Sequence, residues 1–289
     1  MDLMDFEATG LGVLVGVDGS PGGTAALVFA AEEASLRRRP LTVCHVGSGA
    51  APGQGDPILD DAEARLARSA LGVTVRPLAQ VGHPADVLAT LAADAVLTVV
   101  GSRGRGGVVG LMLGSVGLNL SIRAPGPVVV VRPSPPAVGW AGTFAGHVVV
   151  GVDGSAGSTA ALEFGFAEAE RRNRPLAAVH VHRLAPADTY VDDRTLELHA
   201  EERDPGRDLL DAAVDPWAAR YPRVQVKRAL HHGSPAAGLL RAAGGAVLLA
   251  VGRTGRSAPA GVLFGSVSQA MTHRGPCPVA VVPAATPVH

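Results

Sequence analysis

Residues 95–115 read AVLTVVGSRGRGGVVGLMLGS, an apolar run followed by a glycine-rich loop and the start of a helix. The loop portion recurs at 252–266 as GRTGRSAPAGVLFGS, and both copies read G-x-x-G, nine residues, then G-S. A buried strand that ends in glycines and leads into a helix presents backbone N–H groups and a positive helix end to an anion. The stretch therefore predicts a phosphate-binding loop in an α/β fold, present twice.

Two common phosphate-binding loops are excluded by the residues of the first copy. A Walker loop needs a lysine directly after its last glycine, and the single lysine of the chain is Lys227. A dinucleotide loop, G-x-G-x-x-G, needs a third glycine, but Val109 stands at that place after Gly104 and Gly106. The loop must therefore hold phosphate in another geometry.

A second motif precedes each loop and shows that the chain is a tandem duplication. The hexapeptide VGVDGS spans residues 15–20 and recurs at 150–155, an offset of 135 residues. The glycine loops are offset by 151 residues, so the second half carries 16 additional residues between His180 and Gly233. Self-similarity at a fixed offset indicates repeated domains. We predict domains over residues 1–132 and 147–289, joined by a Pro- and Gly-rich linker over 133–146.

Each half alternates apolar strands with helices. The first half predicts strands over 13–17, 41–46, 73–78, 95–100 and 128–131, with helices over about 21–39, 60–69, 84–93 and 115–123. Continuous Val/Leu/Ala strands between helices are typical of a parallel sheet covered on both faces. The predicted fold class is α/β, with two tandem doubly wound, Rossmann-like domains. Ser20 and Ser155 are predicted to cap helices, because neither meets the nucleophile motif G-x-S-x-G.

Composition narrows the class of protein and its surroundings. The chain has 289 residues, of which 47% are hydrophobic, enough to fill two ordinary cores. A net charge of −1 gives no overall field for nucleic acid or a membrane surface. Cys44 and Cys277 form no C-x-x-C motif and are expected to be buried thiols. The N-terminal segment lacks the basic and apolar regions of a signal peptide. We expect a cytoplasmic protein with neither a nucleic-acid nor a membrane partner.

The two motifs of each half predict one ligand site. Open α/β sheets bind ligands beyond the carboxyl ends of their strands, where the strand order reverses. If the strands that end at Asp18 and Gly101 are neighbours there, the carboxylate faces hydroxyl or amine donors and the loop faces phosphates. A whole nucleotide carries both the donor groups for the carboxylate and the phosphates for the loop. His180 and His182 face one side of a strand, but no third ligand is placed at metal spacing, so no metal site is predicted. His231 and His232, which precede a loop that enters a helix, are expected to approach the nucleotide.

The loops themselves contribute polar side chains. Arg103, Arg105, Arg253 and Arg256 are candidates to clamp phosphate, with exposed loop arginines as the alternative. Ser115 and Ser266 stand at a helix start, with an ordinary N-cap as the alternative. The copies also differ: the second has Thr254 instead of an arginine, Ser268 where the first has Gly117, and Gly244–Gly245 where the first has Ala93–Asp94. The first site is therefore predicted to be the more basic.

At these residues the sequence resembles the universal stress protein family, in its tandem-domain, ATP-binding subgroup. The resemblance covers about residues 11–132 and 147–283 and rests on VGVDGS, the doubled loop, and LGSVG or FGSVS before a helix and a Pro-flanked valine strand. It implies a five-stranded parallel sheet flanked by helices in each domain. The last strands, 128–131 and 279–282, are implied to pair and join the halves, and two chains to form a homodimer.

The resemblance also implies the ligand, which is ATP, with or without Mg. Backbone near Val46 and Val181 is implied to touch adenine. With the loop residues argued above, the predicted cofactor-binding residues of the first repeat are Gly16, Asp18, Gly101, Ser102, Arg103, Gly104, Arg105, Gly106, Gly107, Gly114 and Ser115. Those of the second repeat are Gly151, Asp153, Gly252, Arg253, Thr254, Gly255, Arg256, Gly265 and Ser266.

The expected function is that of an ATP-binding, nucleotide-dependent stress-response or regulatory module that acts through an unidentified protein partner. No general base, metal cluster or nucleophile is placed beside the loops, so no enzymatic activity beyond slow ATP hydrolysis is expected. The enzymatic alternative is a weak nucleotide hydrolase or an adenylate-transferring enzyme of the related α/β superfamily. An interaction scaffold with vestigial sites is a third interpretation.

Overall fold

The computed structural model describes residues 10–47, 55–69, 71–104, 114–133, 142–182, 204–256 and 263–284. The chain divides into two compact units. The first comprises Met1–Pro135, Thr272–Arg274 and Pro278–Pro283, and the second comprises Pro136–Met271, Gly275–Cys277 and Ala284–His289. The domain limits inferred from the repeat stay a prediction.

The secondary structure alternates strands and helices, as the apolar pattern predicts. The described strands are β1 (Gly12–Val17), β2 (Leu41–Gly47), β3 (Val75–Val81), β4 (Ala95–Gly101), β5 (Val128–Val131), β6 (Val148–Gly151), β7 (Leu176–His182), β8 (Val226–His232), β9 (Leu248–Gly252) and β10 (Val279–Val282). The described helices are α1 (Pro21–Arg37), α2 (Pro57–Ala67), α3 (Pro84–Leu91), α4 (Ser115–Arg123), α5 (Ala156–Arg172), α6 (Pro205–Arg220), α7 (Pro235–Ala242) and α8 (Ser266–Arg274). A 3-10 turn, Ala92–Asp94, follows α3.

The sheet of the first unit has the strand order β3-β2-β1-β4-β5-β10. Strands β1 to β5 are parallel, and Gly16 of the central strand lies beside Cys44 on one side and Val100 on the other. Strand β10 runs antiparallel to β5, with Val279 beside Val130. The last strands of the two repeats therefore pair with each other, as the resemblance implied.

Helices cover both faces of this sheet. Helix α1 packs on β1, β4 and β5, while α2 packs on β2 and β3. Helices α3 and α4 contact each other, and their residues Leu88 and Leu120 form one cluster with Leu14, Val100 and Val128 of the strands. Alternate strand residues thus face different helix layers, and each fully buried leucine contributes roughly 1.5–3 kcal/mol. The doubly wound fold class is confirmed.

The second unit repeats this plan with the strand order β9-β6-β7-β8, all parallel. Helix α5 packs on β6, β7 and β9, α6 packs on β7 and β8, and α7 packs on β7. The glycines that distinguish this repeat meet the end of the linker, because Gly142 N donates to Gly244 O at 2.8 Å and Gly146 N donates to Gly245 O at 2.8 Å. The first repeat makes the matching contact, because Leu11 N donates to Asp94 O at 2.9 Å, so this backbone hydrogen bond does not depend on glycine.

Smaller expectations from the sequence are also settled. Ser20 is the N-cap of α1 and accepts a hydrogen bond from Gly23 N at 3.0 Å, while Ser155 caps α5. Both cysteines are buried and free, and burial raises the pKa of the Cys44 thiol to about 11. Among the described helices, none is long and apolar enough to cross a lipid bilayer.

Candidate functional site

In both repeats the sequence motifs lie together where the strand order reverses. Strand β1 lies between β2 and β4, and β6 lies between β7 and β9. Asp18 and Gly101 therefore leave neighbouring strands at the same edge of the first sheet, and Asp153 and Gly252 do so in the second. This edge is where open α/β sheets bind their ligands.

The first turn of a helix lies directly against each glycine loop. A Cβ atom on Gly101 would lie 2.5 Å from the carbonyl carbon of Gly22 in α1. A Cβ on Gly252 would likewise lie 2.5 Å from the carbonyl carbon of Gly157 in α5. Only glycine permits two backbones to approach this closely, which explains why both repeats carry glycine at these places.

Asp153 fastens the second loop to the start of α5. Its Oδ1 accepts hydrogen bonds from Ser155 N at 3.0 Å and Ser155 Oγ at 2.6 Å, and its Oδ2 accepts one from Arg256 N at 2.8 Å. Burial raises the pKa of this carboxyl, but the hydrogen bonds from Ser155, Arg256 and Ser158 outweigh it, and the pKa lies below its ordinary value. The group is therefore an ionised, positioned carboxylate at neutral pH.

Asp18 holds the matching position in the first repeat. Ser20 N donates to its Oδ1 at 3.0 Å, and a Cβ on Gly104 would lie 2.5 Å from its Oδ2. The corresponding distance from a Cβ on Gly255 to Asp153 Oδ2 is 2.7 Å. The sequence predicts carboxylates that face a ligand; in the structure they also contact the loops that carry the glycines.

The helix that follows each loop begins without a side-chain cap. Gly265 is the N-cap of α8 and Gly114 is that of α4, and within the described chain no side chain caps either helix. Ser266 and Ser115 are the first helical residues and are exposed. The ordinary Ser N-cap is therefore excluded. Uncapped N–H groups and the helix dipole favour an anion at such an end.

A pocket of about 550 Å³ opens at this edge of the second sheet. Small-molecule sites in proteins have volumes of roughly 300–1,000 Å³. Val181, implied to touch adenine, lines the pocket together with eight predicted site residues: Gly151, Asp153, Gly252, Thr254, Gly255, Arg256, Gly265 and Ser266. The structure thus brings most of the second predicted site around one cavity.

The apolar part of the pocket lining is missing from the sequence prediction. Leu239, Val251 and Phe264 all line the cavity. A Cβ on Gly151 would lie 3.0 Å from Leu239 Cδ1, and the matching distance from Gly16 to Leu88 Cδ1 is 2.8 Å. Leu88 and Leu239 are 151 residues apart, the same offset as the loops. That spacing was the signal from which these leucines could be found.

The remaining candidates divide by position. Arg256 lines the pocket, while Arg253 is not among its lining residues and burial lowers the pKa of its guanidinium. Arg103 is exposed near the start of the first loop. The described candidates of the first repeat stand at the matching edge: Gly16, Asp18, Gly101, Ser102, Arg103, Gly104, Gly114 and Ser115. Arg105, Gly106 and Gly107 lie outside the described residues.

Ser268 is the clearest difference between the two copies. Its Oγ lies 2.6 Å from Gly252 O and 3.0 Å from Arg253 O, so it donates to the loop carbonyls and ties α8 to the loop. Gly117 at the matching position has no hydroxyl with which to do this. The second loop is therefore held by a contact that the first lacks.

Comparison with known proteins identifies the family. Residues 12–132 and 145–283 each match the model of the Universal stress protein family. The chain belongs to the universal stress protein family. It is 35% identical over 295 residues to a universal stress protein of Mycolicibacterium smegmatis (strain ATCC 700084 / mc(2)155), covering 96% of this chain and 98% of that protein. It is 32% identical over 305 residues to one of Mycobacterium tuberculosis (strain ATCC 25618 / H37Rv), covering 96% and 98%.

Solved structures of universal stress proteins share the fold. One from Archaeoglobus fulgidus DSM 4304 covers 95% of this chain and 99% of its own, with a TM-score of 0.61 and 17% identity. Another, solved in complex with cAMP, covers 44% of this chain and 100% of its own at 31% identity. The TM-score of that second match is 0.36, which supports no inference about the ligand of the present chain.

Proposed function

We propose that this universal stress protein binds an adenine nucleotide, which we expect to be ATP. We propose that it acts through a protein partner without consuming the nucleotide. The observation that carries the proposal is the pocket of about 550 Å³, which joins apolar walls to a rim of backbone groups at an uncapped helix start. A nucleotide matches this lining, because its base can pack against apolar walls and its phosphates can accept hydrogen bonds from backbone N–H groups.

The strand order indicates how the nucleotide is oriented in the pocket. The apolar residues Val179 and Val181 line the pocket from β7, Asp153 lines it from the end of β6, and the glycine loop follows β9. Because neighbouring strands lie roughly 4.8 Å apart, the three strand ends span about 10 Å. We assign the base to the β7 end, the ribose to the Asp153 region and the phosphates to the loop and the start of α8.

The first repeat supports a second site of the same kind. Strands β2, β1 and β4 are neighbours in the same order, so Val46, Asp18 and Gly101 correspond to the three positions of the second site. Each loop carries two arginines, but Arg103 of the first loop is exposed, whereas Arg253 of the second is half-buried and does not line the pocket. We therefore propose two nucleotide sites in each chain, of which the first is the more basic.

We further propose that the protein is not an enzyme beyond slow ATP hydrolysis. Asp153 is the one carboxylate among the described residues that line the pocket, and its oxygens are engaged by Ser155 and Arg256. The Ser155 hydroxyl donates to Asp153 and accepts from Ser158 N at 3.1 Å. Neither group is oriented as a base or a nucleophile toward a bound phosphate.

Identification of the molecule that co-purifies with the full chain tests the binding proposal. The protein is denatured and the released ligand is measured by mass and ultraviolet absorbance, with and without EDTA to reveal whether Mg accompanies ATP. We expect an adenine nucleotide. If the purified protein neither carries one nor binds added ATP at millimolar concentration, the scaffold interpretation is favoured.

A turnover assay separates the binding module from the enzymatic alternative. The full chain is incubated with ATP and Mg, and ADP, AMP and pyrophosphate are quantified against a protein-free control. We expect no more than slow hydrolysis. Rapid product formation that is lost in Asp153→Asn would favour a nucleotide hydrolase or adenylate-transferring enzyme.

Light scattering of the purified chain tests the homodimer that we also propose, for which we expect twice the mass of one chain.

A further inference from the structure

We propose that His180, His182 and His232 form a binding site for a divalent transition metal of the Zn²⁺ class at the carboxyl ends of β7 and β8. The sequence places two of these imidazoles on one strand and finds no third ligand. The structure supplies the third from the neighbouring strand. His180 and His182 also line the nucleotide pocket, whereas His232 does not, so metal binding here would be a function additional to nucleotide binding at the edge of that pocket.

The sheet register places the three side chains on one face. His182 and His232 are direct partners in the parallel pairing of β7 and β8, and His180 precedes His182 by two residues. The ring centroids are 6.3 Å apart for His180 and His182, and 6.4 Å apart for His182 and His232. This face is the one covered by α6, because a Cβ on Gly206 would lie 3.2 Å from His180 Cδ2.

His180 is already oriented in the way that a metal ligand requires. Its Nδ1 lies 2.7 Å from the backbone oxygen of Val152. A carbonyl oxygen only accepts, so Nδ1 carries the proton and Nε2 of the neutral ring keeps its lone pair. Metal-binding histidines commonly fix their second nitrogen through such a hydrogen bond.

Metal binding requires the two outer rings to turn inward. As the side chains stand, the described His, Cys, Asp and Glu residues form no group of three that could hold a metal ion. Zn–N bonds of about 2.0–2.1 Å would bring the rings closer than the present 6.3 and 6.4 Å. His182 and His232 are exposed and can change rotamer, whereas His180 is held in place. A three-histidine set leaves the fourth position of a tetrahedral metal to water.

The ligand set selects the class of metal and the repeat that binds it. Imidazole nitrogens suit Zn²⁺, Ni²⁺ and Cu²⁺, while Mg²⁺ and Ca²⁺ require oxygen ligands. The first repeat has His45 at the position of His180, but Gly47 and Val81 stand at the other two positions. His45 Nδ1 is in addition paired with Asp56 Oδ2 at 2.6 Å. The proposed site therefore belongs to the second repeat alone.

Calorimetric titration of the EDTA-treated full chain with Zn²⁺ at pH 7 tests the proposal. We expect one tight site per chain, and we expect His182→Ala and His232→Ala each to weaken it by roughly 100-fold. His231→Ala is the matched control, because His231 is the adjacent residue of β8 and its side chain points to the opposite face of the sheet. That variant should bind Zn²⁺ as the unaltered chain does. Far-UV circular dichroism of each variant verifies its fold.

Three results would overturn the site: no stoichiometric Zn²⁺ binding, an equal loss of affinity in His231→Ala, or Mg²⁺ binding as tightly as Zn²⁺. Substitution by Co²⁺ gives an independent readout, since the expected tetrahedral site absorbs visible light and His232→Ala should lose that absorption. ATP titration in EDTA distinguishes this proposal from the nucleotide proposal. His232 does not line the nucleotide pocket, so His232→Ala should retain ATP affinity.

Discussion

Asp153 shows how a single side chain prepares the loop for its ligand. Its two oxygens connect the turn after β6 to the backbone of Arg256 in the loop after β9. Gly255 allows this contact, since a larger residue would bring a Cβ within 2.7 Å of the carboxylate. The loop is therefore held in shape by the protein itself, and a ligand meets backbone groups that are already positioned.

The ionised carboxylate of Asp153 should stabilise the fold in a pH-dependent manner. Its pKa is lowered below the ordinary 3.8, so the stabilisation is present well above pH 3.8 and is lost as the pH falls through the folded-state pKa. We expect Asp153→Asn to be less stable than the unaltered chain at pH 7 and the difference to shrink toward pH 2. Urea unfolding at a series of pH values measures it, with exposed Asp94→Asn as the control. A difference that is constant with pH would contradict this role.

The close approach of α5 to the loop predicts a strict requirement for glycine. In Gly157→Ala the new methyl group would collide with the carbonyl of Thr254, and we expect a loss of roughly 1–3 kcal/mol in the free energy of unfolding. Gly126→Ala is the control, because the nearest atom to its Cβ would be Ala95 O at 3.7 Å. Equal stability of the two variants in chemical denaturation would show that the contact is not tight.

At the scale of elements, α8 is arranged to receive an anion because its first N–H groups have no side-chain cap in the described structure. Ser266→Asp places a fixed negative charge at that end. We expect the free protein to gain roughly 0.3–1 kcal/mol in stability, and ATP affinity at the second site to fall about tenfold or more through repulsion of the phosphates. Ser266→Ala removes the hydroxyl without adding charge and is the control. If both variants bind ATP equally well, phosphates do not lie at this helix end.

Much of the element order could be predicted from the sequence. The bounds of α4 and β5 match their predictions, because Gly114 and the Pro-flanked valine run mark clear limits. Strand β3 ends at Val81, beyond its predicted end at residue 78, and it passes through Pro77. Proline is tolerated in an edge strand, and edge position is a property of the sheet rather than of the segment.

The candidate site was only partly predictable for the same reason. The glycines and aspartates could be found because each repeat places them beside a recognisable motif. The approach of His232 to His182 depends on the register between β7 and β8, which no local pattern specifies. The hydrogen bonds from Ser268 to the loop likewise depend on where α8 lies. Such contacts join residues distant in sequence and become visible only in the folded chain.

At the scale of the whole molecule, duplication has produced two similar but unequal sites. Both repeats retain the aspartate, the glycine contacts and the uncapped helix. The first carries Arg103, while the second carries Ser268 and the three histidines of the proposed metal site. We expect the sites to bind ATP with different affinities and the first to depend more strongly on salt, because Arg103 is exposed whereas Arg253 of the second loop is half-buried, and exposed charges are screened by salt. Titrations at about 50 and 300 mM salt measure this difference; identical salt dependence of both sites would contradict it.

Calorimetric titration of the full chain with ATP, in parallel with Gly104→Ala and Gly255→Ala, tests the central claim most directly. In these variants a Cβ would lie 2.5 Å from Asp18 Oδ2 or 2.7 Å from Asp153 Oδ2, so either the loop or the carboxylate beside it must move in each case. Gly126→Ala again serves as the control. We predict two ATP molecules per unaltered chain, and one per chain in each loop variant, with the control unchanged. Absence of ATP binding by the unaltered chain, or retention of both sites in both loop variants, would contradict the account.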